Sequence, residues 1–443
     1  MRNCSIIIFC AVILLASCNN YDVKNAEDNS TFGLIQSRIF DTSCAISGCH
    51  VANAGNFIEH NLSLERLVAY NNLVGVAPKN ANALADKLLR VKVSNADESL
   101  LYHKLHSGLH HQNKYGNIMP LGLPRLSVGQ IEFVRQWIEA GAPRNEVVAD
   151  SMLLNDHTPS VEEFEPLVAP AQGKGFKVDM GKFEIAPDFE REFFVYKKIG
   201  NATDVYVNRI EIKMRENSHH LVVYDFNDLL PSTIKPPLDI VRDIRLPDGT
   251  LNANNLTPMF YHIYVAGTQT AYSDFTFPTG VAIKIPAGTA LDFNSHYVNK
   301  SMIPFEGEVN INFHTVEEAA IQQVAKSINL ANLNFSLPAN KETTVTKSFI
   351  IDKPIALFSL TSHTHQLGKK FIIKINGGLR NGEIVYTSED WHHPLVKAFN
   401  PPILLNAGEG LTSVITYNNT KSKAVGFGLT SEDEMGIIFG YYY

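Results

Sequence analysis

The sequence predicts a multidomain chain: a small all-α domain followed by two antiparallel β-sandwich domains. Three observations lead there. The chain has 443 residues at 45% hydrophobic content, enough for about three domains on a prior of roughly 150 residues each. All five cysteines precede residue 51, and the clearest helix signals also lie in the first third. From Phe176 onward the pattern changes to short segments of period-two alternation, separated by Pro, Gly and Asn, with no long amphipathic helix between them. A formal net charge of -7 and the absence of a long basic run argue against nucleic acid as a partner.

The first eighteen residues read as a targeting segment. Arg2 is a short positive region, Ser5 to Leu14 an apolar one, and Leu15-Ala-Ser-Cys18 follows. The apolar run is too short to span a bilayer. This stretch resembles a bacterial lipoprotein signal peptide over 1–17, whose cleavage leaves Cys18 as a lipid-modified N-terminus. It implies an exported chain anchored by lipid to a bacterial membrane, with the outer membrane or periplasmic side expected, and Cys4 and Cys10 removed. Residues 18–31 are polar and read as a tether.

Cys44-Ala-Ile-Ser-Gly-Cys49-His50 is a variant of the c-type haem attachment signal, with four residues between the cysteines instead of two. In that signal two thiols form thioethers and the following His ligates iron. The same pair would also suit a disulfide or two free thiols in an exported domain. Downstream lie Ser99-Leu-Leu-Tyr-His-Lys-Leu, Gly116-Asn-Ile-Met119-Pro120 and a helix opening at Ser127, with Gln130 as its capping-box partner. That helix carries Ile131, Val134, Trp137 and Ile138 on one side and stops at Gly141, with Pro143 beyond. Residues 32–145 resemble the small cytochrome c-like domains of bacterial exported proteins. The resemblance implies haem c bound by Cys44 and Cys49, with His50 and Met119 as axial ligands. His103, His106, His110 and His111 lie close enough in sequence to replace Met119.

Residues 146–172 turn acidic and proline-bearing, as a linker does, although Met152, Leu153 and Leu154 suggest that part of it packs down. Beyond it, Ile210, Ile212 and Met214 alternate with Arg209, Glu211 and Lys213. Val281, Ile283 and Ile285 alternate with Ala282 and Lys284, and Val309, Ile311 and Phe313 with Asn310 and Asn312. Such segments make antiparallel sandwiches, expected over 173–330 and 331–443.

The histidines of this half form three groups. His363 and His365 flank Thr364, and residues i and i+2 of a strand share a face. An exposed strand could carry the same pair, but two imidazoles on a rigid face are half of a metal site, and a thioether such as that of Met435 would favour copper. His219 and His220 are adjacent, so both can reach one ion only at a bend or bulge. His296 offers a third nitrogen.

In that order, His-His, a lone His in a His-Tyr strand, His-Thr-His and Asp433-Glu-Met435, the set resembles the copper type II ascorbate-dependent monooxygenases. Pro278-Thr-Gly-Val281, His365-Gln-Leu-Gly-Lys369, Phe399-Asn-Pro-Pro402 and Thr412 to Asn418 agree. The likeness spans about 175–443. It implies two jelly-roll-like β-sandwich domains facing each other across a cleft, each with one copper ion. His219, His220 and His296 would hold the ion that supplies an electron, and His363, His365 and Met435 the catalytic one where oxygen binds. It further implies an oxidoreductase that hydroxylates an activated C–H of a small molecule with O2. Electrons would come from an external ascorbate-like reductant or redox protein, and here through the fused haem domain. The sequence departs from the family in having no cysteine in this half. It also has Thr361 where the peptide-specific enzyme has an Arg for the substrate carboxylate, and Phe439 where a substrate-holding Tyr occurs. Both changes imply a more apolar substrate pocket. A non-enzymatic electron-transfer or metal-binding lipoprotein of the same fold is the other expectation.

Overall fold

The computed structural model describes residues 28–51, 58–106, 113–160, 164–428 and 433–443; the signal segment, the tether up to residue 27 with Cys18, and His110 and His111 lie outside them. The described part of 28–155 contains helices and isolated bridges but no strand. Its longest helix is Val128–Glu139, entered through the Ser127–Gln130 capping box. It exits at Gly141, whose φ of 98° is open to glycine but strained for other residues. Ile131, Val134, Trp137 and Ile138 are all buried against Phe32, Ile35, Ile39 and Phe40. The linker does pack down in part: Leu153 and Leu154 lie against this core, while Met152 stays exposed.

The remainder is mostly β-sheet. In chain order the first strands are β1 (Gly175–Ile185), β2 (Phe189–Lys198), β3 (Val205–Met214), β4 (Ser218–Phe226), β5 (Val241–Asp243), β6 (His262–Thr268), β7 (Tyr272–Thr276), β8 (Val281–Ile285), β9 (Ala290–Asn299) and β10 (Phe305–Val316). They are followed by β11 (Gln323–Ala331), β12 (Ser336–Leu337), β13 (Lys341–Ile350), β14 (Ile355–His363), β15 (Gly368–Asn376), β16 (Ile384–Ser388), β17 (Lys397–Leu405), β18 (Gly410–Asn419), β19 (Val425–Gly426) and β20 (Ile437–Tyr442).

One five-stranded sheet, β5-β2-β9-β4-β6, and one four-stranded sheet, β13-β18-β15-β16, stand on either side of the chain's midpoint. Both pack against a shared nine-stranded sheet, β1-β10-β3-β8-β11-β20-β14-β17 with β7 on β3. The join is a short parallel pairing, Gln323 to Ala325 of β11 against Val281 to Ile283 of β8. The strand that runs up to the boundary expected at residue 330 is shared by both sandwiches. β11 pairs with β8 over its first three residues and with β20 from Lys326 to Ala331, and Ala325 lies in the first core while Ile328 lies in the second. Phe358 and Tyr441, from β14 and β20, bury themselves in the first core, and Tyr441 Oη donates to the Val265 carbonyl at 2.7 Å.

The alternation in β3 sends Ile210, Ile212 and Met214 inward. In β10 the intervening Asn310 and Asn312 are buried as well, because the incoming chain covers the outer face. Leu167 N–H donates to Asn310 Oδ1 at 3.0 Å, and Asn312 Nδ2 donates to the Val168 carbonyl at 2.8 Å.

Candidate metal centres

β4 and β9 are antiparallel neighbours, with His220 directly opposite His296. Their register slips between Ser218 and His220, and His219 occupies that bulge. The extra residue turns its ring to the same side as its neighbour, so His219 Nδ1 and His220 Nδ1 lie 3.2 Å apart. Two nitrogens each 2.0–2.1 Å from a tetrahedral ion would be separated by about 3.3 Å. One ligand atom from each of His219, His220 and His296 falls within 4.8 Å of the others. His220 Nε2 lies 2.9 Å from Asn294 Oδ1; an Nε2–H donated there leaves Nδ1 with its lone pair free. His296 Nε2 is 2.8 Å from Glu190 Oε1, while the Nδ1 of this buried residue has no hydrogen-bond partner. A transition-metal ion fits this donor set.

Burial, helped by the surrounding imidazoles, pushes His219 well below its ordinary pKa, keeping it neutral as a ligand must be. Burial also pushes His296 down, but Glu192 and Glu190 outweigh it and the net shift is upward. Those carboxylates would balance the charge of a bound cation once the His296 proton leaves.

The second group forms where β14 ends. His363 pairs with Ile437 of β20, and His365 follows two residues on, with ring centroids 5.3 Å apart. His365 Nδ1 donates to the Asp433 carbonyl at 3.0 Å, which leaves Nε2 as its free nitrogen. Glu434, fully buried, holds this site together. Its two oxygens accept backbone N–H bonds from His365 at 2.9 Å, Leu367 at 2.6 Å and Met435 at 3.2 Å. Tyr417 Oη fixes the Met435 carbonyl at 2.7 Å. Burial, then the charge of His365, drives His363 well below its ordinary pKa.

Both groups line one cavity of about 1670 Å³, as does Met435. Residues 321–443 match the copper type II ascorbate-dependent monooxygenase, C-terminal domain. The match covers β11 to β20 and therefore His363, His365 and Met435, but not the His219 group or the helical segment. No curated protein matches the chain. Among solved structures, the major capsid protein P2 of bacteriophage PM2 is 8% identical, over 57% of this chain and 97% of that one, with a TM-score of 0.22. PNGF-II is 10% identical, over 63% and 62%, with a TM-score of 0.23. These likenesses are too distant to bear on function.

Within the monooxygenase-like domain, Thr361 and Phe439 are cross-strand partners on β14 and β20. Both line the cavity beside His363, whose ring centre is 6.4 Å from that of Phe439. The same cavity extends to the helical segment and touches Cys44, Cys49, His50 and Met119. Cys44 and Cys49 both stand as free thiols. Burial pushes the Cys44 thiol up to about 12, and Lys300 Nζ donates to Cys49 Sγ at 3.3 Å. His50 Nδ1 donates to the Leu62 carbonyl at 2.8 Å, leaving Nε2 free, as an iron ligand requires. Leu64, Leu73, Leu101 and Leu105 supply apolar wall there. Neither His103 nor His106 lines the cavity; His103 Nε2 instead reaches the Asp97 carbonyl at 2.7 Å.

The loop that carries Met119 docks on the first His group. Asn117 Nδ2 donates to the Ser218 carbonyl at 2.9 Å, at the foot of the bulge, and Asn117 Oδ1 accepts Ala271 N–H at 2.8 Å. Sequence reasoning passed over one further cluster. His392 and His393 are buried or nearly so and meet His60 from the helical segment. His392 stacks on His219, centroids 4.8 Å apart. The adjacent His-His dipeptide was a visible signal, but its distant partner His60 was not.

Proposed function

We propose that this chain is a copper-dependent monooxygenase that hydroxylates an activated C–H of a small apolar organic molecule with O2. The observation that carries the reading is a conjunction. A domain matching the copper monooxygenase family presents His363, His365 and Met435 to the same cavity as a second, independently formed three-histidine group. His219, His220 and His296 would hold one copper ion, and His363, His365 and Met435 the other. Copper supplies the one-electron redox chemistry and the activation of O2; the chain supplies geometry and tuning.

The protein's own contributions follow from the contacts. His219, His363 and His365, kept neutral by burial, are ready to ligate without losing a proton first. The Met435 thioether is a soft donor that favours Cu(I), and Glu434 sets its position relative to His365 by bonding the backbone of both. Thr361 and Phe439 shape the wall beside His363 without offering a cation, which suits an apolar substrate better than a carboxylate. Cys44, Cys49, His50 and Met119 would hold a c-type haem whose filled axial positions fit it for electron transfer, with an external reductant feeding it. In the same reading Cys18 carries the lipid that tethers the exported chain to a bacterial membrane.

The test is oxygen consumption by protein matured in a periplasm with haem-attachment machinery, supplied with ascorbate and a panel of apolar substrates. Substrate-dependent uptake with hydroxylated product, lost in Met435→Ala, is the expected result. Copper-loaded protein that cycles electrons yet consumes no oxygen with any substrate would make the chain an electron carrier instead.

A further inference from the structure

We propose that His60, His392 and His393 form a third metal site, closed and structural, that takes a zinc-class divalent cation and clips the helical N-terminal segment to the second sandwich. Each of the three offers a ligand nitrogen within 4.8 Å of the others. His393 Nε2 accepts the Asn117 N–H at 3.3 Å, so its Nδ1 is the atom left for a metal. His392 Nε2 is buried and has no hydrogen-bond partner, and neither does Glu59 Oε2. Glu59 Oε2 lies 3.9 Å from His60 Nε2. A buried ring nitrogen left without a partner is costly unless something binds it.

Asp390 lies beside two of the three. Its carboxylate is fully buried and stands 3.8 Å from His60 Nε2 and 4.0 Å from His393 Nδ1. The same group accepts the backbone N–H of His392 at 3.1 Å and of His393 at 2.8 Å, which sets the loop that presents both rings. Three imidazoles with one nearby carboxylate suit a four-coordinate zinc ion. No thioether stands in the group to favour Cu(I). Ligand nitrogens would have to close to about 3.3 Å around the ion, a movement of about an ångström or so within reach of side-chain rotation. Asp390 supplies negative charge beside a dication, while the neighbouring Lys104 ammonium is held by the Tyr115 and Asn117 carbonyls.

This site does not depend on the copper reading, and the experiment separates the two. Metal content is measured on the full chain after exposure to zinc and copper and removal of loosely bound ions. Cobalt is then substituted to report tetrahedral ligation by its visible spectrum. We expect about one zinc ion per chain, an affinity at least about 100-fold weaker in His60→Asn and His393→Asn, and copper content unchanged in those variants. His219→Asn should show the converse, with zinc retained. Zinc binding equal in the wild type and His60→Asn, or no retained zinc in a protein whose thermal unfolding is normal, would overturn the proposal. A chain that binds zinc but no copper would leave this site standing and remove the monooxygenase reading.

Discussion

Glu434 precedes Met435 and accepts backbone N–H bonds from His365, Leu367 and Met435 itself, so one carboxylate positions two segments of the second metal group. Glu434→Ala would strand three donors in a buried place, at a cost of roughly 3–5 kcal/mol. It should also deplete the copper bound by His363, His365 and Met435 while leaving the His219 group loaded. Glu434→Gln, which keeps an acceptor, should lose less of both; urea unfolding with metal analysis reads the difference. Protonation gives a second prediction at this scale. Burial lowers His50 from 6.5 to about 4, so the unfolded chain binds the proton more readily than the folded one. In protein free of haem and metal, stability is then full above pH 6.5. It falls by on the order of 3 kcal/mol for this residue as the pH drops to about 4. His219, His363, His392 and His393 are lowered too and act in the same direction. Urea midpoints measured against pH should therefore fall steeply below 6.5, and His50→Gln should remove part of the slope.

Secondary elements were legible where local chemistry decides them. The Val128–Glu139 helix has its cap, its apolar side and its terminal Gly141 written in consecutive residues. β3 shows its inward face directly, and the requirement that His219 and His220 share a face points to the bulge that β4 contains. Asn310 and Asn312 were harder, because polar residues in alternation signal a solvated face, whereas the 164–170 segment covers them. That β11 bridges the two sandwiches could not be read locally, because its partners, β8 and β20, are set by tertiary pairing that no local pattern encodes. At this scale Gly368 is a sensitive point. A Cβ there would sit 2.1 Å from Thr364 Oγ1, between the two histidines of the second group. Gly368→Ala should cost about 1–3 kcal/mol and shift His365, seen as weaker copper retention at that site alone together with a lower denaturation midpoint.

Across the whole molecule, a shared nine-stranded sheet and the burial of Tyr441 in the first core join the two sandwiches, and the Met119 loop is bonded to the bulge at Ser218. One cavity therefore reaches all four groups of candidate ligands. The six copper-ligand candidates were legible as an ordered series of motifs. That they share a cavity with His60, His392 and His393 was not, since those residues come together only when the helical segment docks on the sandwiches. The central claim, two copper sites of distinct composition facing one cavity, is tested most directly by counting copper in the wild-type chain, His219→Ala and Met435→Ala, with electron paramagnetic resonance of the oxidised forms. About two ions in the wild type, and about one in each variant with a different nitrogen hyperfine pattern, is the predicted result. Copper that is absent, or unchanged by either substitution, would contradict it.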